Sequence, residues 1–205
     1  MKIITISREF GSGGRELGKR LADLLGFDYY DSEIISAVAK NICMDKEYVE
    51  KKLANHGWQS FTITYRGTLG SANYVQSSGV SLLLQQKKVI EEIAALGKDC
   101  VIVGRNADVI LSSYQPFNIF VCADMDAKVK RCIERKPVDE KLTEKELIRK
   151  MRQIDKMRSQ TRAIISGSEW GHRNAYHLTV NTTDWNIKEL APAVAEFAGR
   201  WFGRT

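Results

Sequence analysis

Short runs of β-branched and aromatic residues alternate with amphipathic helical stretches along most of the 205 residues. That alternation predicts an α/β protein built on a mostly parallel sheet flanked by helices. Two further observations agree. Cys100 to Gly104 and Phe117 to Cys122 are apolar almost without a break, as strands covered on both faces are. The first run, Ile3 to Ser7, ends in the glycine-rich stretch Gly11-Ser12-Gly13-Gly14, and an amphipathic helix follows at once.

The remaining elements follow in order. A short second strand spans Phe27 to Tyr30 and a fifth spans His177 to Asn181. Leu17, Leu21, Leu24 and Leu25 recur at helical spacing and predict one apolar stripe, stopped at Gly26. Asp31 is placed to cap a helix carrying Ile34, Ile35 and Val38, and Asp45 to cap another over Lys46 to Leu53. Asn55 to Gly79 holds many Gly, Ser, Thr and aromatic residues with no sustained period, which marks a mobile or substrate-covering insert. Helices are expected from Val80 to Leu96, with Leu83, Ile90, Ile93 and Ala94 inward, and from Asp126 to Arg135. Between Lys136 and Arg162 the chain is densely charged, and Thr143-Glu144-Lys145-Glu146 matches a capping box. So charged a helix has little apolar face to bury and suits a lid. A last helix presents Ile187, Leu190, Ala191, Val194, Phe197, Ala198 and Trp201 on one face; Pro192 inside it predicts a later start or a kink.

Composition narrows the setting. With 43% hydrophobic and 27% charged residues the chain is an ordinary globular domain. No apolar run approaches the roughly 18 residues of a membrane span. Met1 to Ser7 has too short an apolar stretch for a signal peptide, so a cytoplasmic location is expected. Cys43, Cys100, Cys122 and Cys132 lack metal spacing and read as free thiols. His56, His172 and His177 form no metal pattern either. A net charge of +6 calls for an anionic partner. Because the basic residues are dispersed, a pocket with several arginines is favoured over a nucleic-acid track.

Strand, glycine turn and helix together converge backbone N–H groups and the positive end of a helix dipole on one point, a ready phosphate site. The full P-loop pattern is G-x-x-x-x-G-K-[ST], whose lysine reaches the β and γ phosphates and whose hydroxyl binds magnesium. Here Gly13 stands for the last glycine, Gly14 takes the lysine position, and Arg15-Glu16 follow. Either Arg15, one position along, or Arg8, at the strand end, is placed to supply the missing cation, and Ser12 offers a hydroxyl. A tight glycine turn with no ligand has the same spacing. Arg105, at the end of a central strand, lies on the edge where open α/β sheets bind ligands. Arg131 and Arg135 share a helix face and either reach a nucleotide or face water; Asp155 and Arg158, three apart, either pair with each other or meet substrate. Arg152 and Arg162 are weaker lid candidates. Trp170 and Tyr176 either stack on a base or pack internally.

Ile4 to Glu16, Tyr29-Tyr30-Asp31, Val103-Gly104-Arg105-Asn106-Ala107, Val121-x-Ala123, Asp155-x-x-Arg158 and Trp170-Gly171, in that order, resemble the cytidylate kinase-like family, a divergent branch of the nucleoside monophosphate kinases. The resemblance implies a P-loop NTPase fold with a five-stranded parallel sheet, a monophosphate-binding insert at about 32–79 and a helical lid at about 136–175. It implies ATP and Mg2+ as cofactors and transfer to a nucleoside monophosphate, CMP or dCMP first. Gly11, Ser12, Gly13, Gly14, Arg15 and Glu16 would then hold ATP. Asp31, Ser32, Arg105 and Arg131 would face the acceptor, and Arg15, Asp155 and Arg158 would act on the phosphates. This chain departs from cytidylate kinases at Gly14, at Asn106 where they have aspartate, and at Met151-Arg152 where they have Arg-Asp. Two alternatives stay open: a nucleotide-binding protein that kept the fold and lost transfer, and a kinase for another small acceptor.

Overall fold

A computed structural model describes residues 1–32, 34–35, 79–135 and 142–203. Five strands, β1 (Ile3–Arg8), β2 (Asp28–Asp31), β3 (Cys100–Val103), β4 (Phe117–Cys122) and β5 (Leu178–Asn181), form one sheet. Their order is β2-β3-β1-β4-β5, every pairing is parallel, and each expected strand is present to within a residue or two. β1 lies between β3 and β4, so the chain leaves it at the point where successive crossovers diverge. That switch point is where open α/β sheets form their ligand crevice.

Alternation along the strands builds two cores. Ile4, Ile6, Val101, Val103, Phe117, Ile119 and Val121 face α1 (Gly14–Leu25) and the C-terminal helix. Ile3, Cys100 and Ile102 point the other way, toward α2 (Gly79–Ala95) and the short α3 (Ala107–Ile110). In α1, Leu17 and Leu21 are fully buried, but Leu24 is exposed, so the apolar stripe is narrower than its leucines suggest. Gly26 ends the helix in the left-handed conformation.

Two further helices, α4 (Met125–Glu134) and α5 (Glu144–Ser166), meet over Phe10, where Val129, Cys132, Leu147 and Met151 are buried. The charged helix thus has an apolar contact after all, set on the glycine-rich segment itself. Its capping box is formed as expected: Thr143 Oγ1 accepts from Glu146 N at 3.3 Å, and Thr143 N donates to Glu146 Oε2 at 2.9 Å. The last helix, α6 (Ile187–Phe202), starts at an Asn186 cap and runs through Pro192. Being the sixth residue, the proline removes only the N–H bond that would reach Lys188 C=O.

The expected Asp45-capped helix, Val38, most of the insert, residues 136–141 of the lid, Cys43 and His56 lie outside the described residues. Among the described ones, Cys100, Cys122 and Cys132 are free thiols, and no helix is long and apolar enough to cross a membrane.

Candidate active site

The turn after β1 reverses through Gly11 and Gly13, at φ +78° and +81°. Gly13 is the N-cap of α1 and offers no side chain to its first amides, so the donors of Gly14, Arg15 and Glu16 lie at an uncapped helix start. The dipole adds partial positive charge there. Such a helix start is chemically suited to an anion.

Four contacts from distant parts of the chain fix the loop from behind. Phe10 N donates to Asp155 Oδ1 at 2.9 Å, and Arg158 Nη1 donates to Arg8 C=O at 2.9 Å. Lys128 Nζ meets Glu9 Oε2 at 2.9 Å, and Thr182 Oγ1 donates to Ser12 C=O at 2.7 Å. Asp155 and Arg158 also pair with each other at 2.9 Å, so pairing and proximity to the loop hold together. Ser12 is fully buried and its hydroxyl donates to Glu9 C=O at 2.9 Å. Spacing gave no hint of Glu9, Lys128 or Thr182; their charge or hydroxyl becomes meaningful only once β4 and β5 bring them under the loop.

In front of the loop lies an arginine corner. Arg15 pairs with Asp31 at 2.6 Å. Asp31 Oδ1 also accepts from Ile34 N at 3.0 Å, the helix cap that the sequence predicts. Arg8 Nη2 donates to Ser32 Oγ at 3.1 Å. Burial draws the Arg8 guanidinium down to about 9, and the charges of Arg158 and Arg105 push the same way. Arg105 is lowered by burial and then by Arg158; Arg158 is lowered by burial, against the pull of Asp155. A guanidinium stays protonated at neutral pH, so burial leaves these three charges short of water, and Arg8 and Arg105 also feel the like charge of Arg158. Burial, with Asp31 next, raises the Tyr29 phenol above its ordinary value.

Glu16 and Arg131 stand apart from that corner. Glu16 accepts from Arg20 at 2.9 Å and pairs with Arg135. Arg131 donates to Thr182 Oγ1 at 3.2 Å, to Thr182 C=O and to Trp185 C=O at 3.2 Å, bracing the turn after β5. Of the lid arginines, Arg162 is buried in an ion pair with Asp108 and lies over the Tyr176 ring, while Arg152 is exposed. Trp170 and Tyr176 pack on Phe120, with centroids 5.3 and 5.0 Å away. No group of three or more His, Cys, Asp or Glu among the described residues converges on a metal site. The one hydroxyl of the loop, on Ser12, is turned into the turn itself. These residues do not form a magnesium ligand set.

A parallel 2-3-1-4-5 sheet with a glycine turn after β1 and arginines at its carboxyl edge is the P-loop kinase fold. The chain belongs to the cytidylate kinase-like family, whose model matches residues 3–184. A solved structure of an uncharacterized protein from Eubacterium ventriosum is 25% identical, with a TM-score of 0.71 over 97% of this chain and 99% of that one. Shikimate kinase from Acinetobacter baumannii, solved with shikimate, is 14% identical with a TM-score of 0.51 over 96% of this chain and 92% of that one. Shikimate kinase from Bacteroides thetaiotaomicron is 14% identical with a TM-score of 0.53, covering 97% and 98%. Comparison with curated proteins gives no match to the chain.

Proposed function

We propose that the protein transfers the γ-phosphoryl group of ATP to a nucleoside monophosphate, CMP or dCMP first. The observation that carries this reading is the uncapped start of α1, whose Arg15 pairs with Asp31, and the charges of Arg8 and Arg105 that act on one another there. Family membership supports the acceptor class. An oxygen of the acceptor phosphate attacks the γ-phosphorus, the bond to the β,γ-bridging oxygen breaks, and ADP leaves. Such a reaction asks little covalent chemistry of a protein; it asks for alignment and for cations around the transferred oxygens. Backbone amides 14–16 and the guanidinium groups of Arg8, Arg15 and Arg105 are the groups offered for both. Asp155 and Arg158 contribute by holding Phe10 and Arg8 in register. Magnesium would arrive on the nucleotide, where it would screen the phosphate charge.

A coupled assay with ATP over CMP, dCMP, UMP, AMP and GMP tests the proposal. CDP or dCDP should form fastest. Absence of diphosphate from every acceptor would refute transfer to nucleotides. The second reading, nucleotide binding without transfer, draws on glycine at the lysine position; saturable ATP binding with no turnover on any acceptor would establish it.

A further inference from the structure

Position 14 is closed to any side chain. A Cβ on Gly14 would lie 2.6 Å from Arg8 Cβ and 3.2 Å from Val121 Cβ. Both are stem atoms close to the backbone of central strands, so neither yields cheaply. The volume that a loop lysine would enter is filled by the Arg8 stem, coming from the end of β1. Arg8 then crosses the end of β3, where Gly104 makes room: a Cβ there would run into Nη1 and lie 2.8 Å from Cζ. Gly104 also sits at φ +86°, which side chains resist. Two glycines 90 positions apart therefore frame one arginine, and its far nitrogen reaches Ser32.

Positive charge is concentrated here. Beside the Arg15–Asp31 and Arg158–Asp155 pairs, the buried Arg8 guanidinium feels the charges of both Arg158 and Arg105. An anion bound at this corner would relieve that crowding.

We propose that Arg8 is the phosphate-binding cation of this site, taking over from β1 the place of the P-loop lysine on α1. The proposal rests on the kinase reading for its ligand and goes beyond it in naming the group that replaces the lysine. Its consequence is geometric. A lysine offers a point charge, whereas the Arg8 fork is planar, fixed by Gly104 and Ser32, and presents paired donors.

Calorimetric titration with inorganic phosphate, Mg–ATP and CMP separates the possibilities. The proteins are wild type, Arg8→Met, Arg8→Lys, Gly14→Lys, and the double variant Arg8→Ala with Gly14→Lys, each with its ligand-free melting temperature. Arg8→Met should weaken phosphate-bearing ligands about 10- to 100-fold, the size of a lost charged hydrogen bond. Its ligand-free melting temperature should stay level or rise, because one of several crowded cations is gone; a merely structural arginine would lower it. Gly14→Lys alone should bind poorly, and the double variant should recover most of the loss, since its lysine gains the vacated path. Should Arg8→Met fail to fold, Arg8→Lys keeps the charge and should still bind more weakly than wild type.

Wild-type affinity for all three ligands in Arg8→Met or Arg8→Lys would overturn the proposal. So would wild-type affinity and melting temperature in Gly14→Lys. If wild type binds inorganic phosphate through Arg8 yet makes no diphosphate, the proposal stands and the kinase reading falls; if wild type binds none of the three, both fall.

Discussion

At the amino edge of the sheet, Phe117 is fully buried among His177, Phe197, Trp201 and Phe202, with ring centroids 5.1 to 6.3 Å away. At the carboxyl edge, strands β1, β2 and β3 end in Arg8, Asp31 and the turn Gly104-Arg105. One sheet thus finishes in aromatic packing at one edge, on β4 and β5, and in buried charge at the other, on β1, β2 and β3. Apolar rings lower the free energy of the fold wherever they close together. Crowded guanidinium groups raise it until an anion arrives. Stability and binding should therefore separate along the strand axis.

Phe117→Ala should give the largest effect, a loss of about 4 kcal/mol of stability, because a buried ring leaves a cavity. Urea unfolding measures it, and the CMP affinity of the folded fraction should not change. A loss of affinity would break the separation. Arg162→Met comes next, at about 3 kcal/mol, because the Asp108 carboxylate would be left buried without its partner. Asp108 Oδ1 already lacks a hydrogen bond among the described residues. The double variant Asp108→Leu with Arg162→Met should recover most of the loss in the same unfolding experiment. That pair is structural although it sits near the charged edge, which sharpens the distinction: the Arg162–Asp108 pair should stabilise, while the arginine corner should bind.

Arg105→Met should leave ligand-free stability unchanged and weaken CMP binding by about 1.5–3 kcal/mol, read by calorimetry. Thr143→Ala should cost about 1 kcal/mol of stability through the lost cap and leave ligand affinity alone. The smallest effect is a pH dependence at the aromatic edge. Burial lowers the pKa of His177, whose Nδ1 accepts from Asn118 N at 3.0 Å. The folded state therefore prefers the neutral ring. Its contribution is full above about pH 6.5, the unfolded value, and declines as the pH falls through and below that point. Because the ring is largely exposed, the change should stay under about 1 kcal/mol. Melting curves over that range should flatten in His177→Phe.

Much of this molecule was legible in its residues, for physical reasons that differ by element. Buried parallel strands leave continuous apolar runs, and so all five appeared where expected. Asp31, Thr143 and Gly26 act within a few residues of their own position, and local chemistry announces them. Arg105 and the glycine turn declared themselves by position at strand ends. The direction taken by Arg8 was not legible, because it depends on two glycines that only the folded sheet brings together. Arg131 turned to Thr182 and Trp185 instead of outward for a similar reason: its partners lie some 50 residues away and are two carbonyls and a hydroxyl, which carry no sequence signature. Arg162 read as a lid candidate because no acid near it in sequence pairs with it, while Asp108 lies on α3, a helix too short to leave a periodic pattern.

Amide hydrogen exchange with and without Mg–ATP plus CMP tests the division between the two edges most directly. Residues 9–16 and 104–107 should gain protection, while 196–203 and the start of β4 should exchange unchanged. Protection at the aromatic edge, or none at 9–16 under saturating ligand, would contradict the assignment of phosphate binding to the arginine corner.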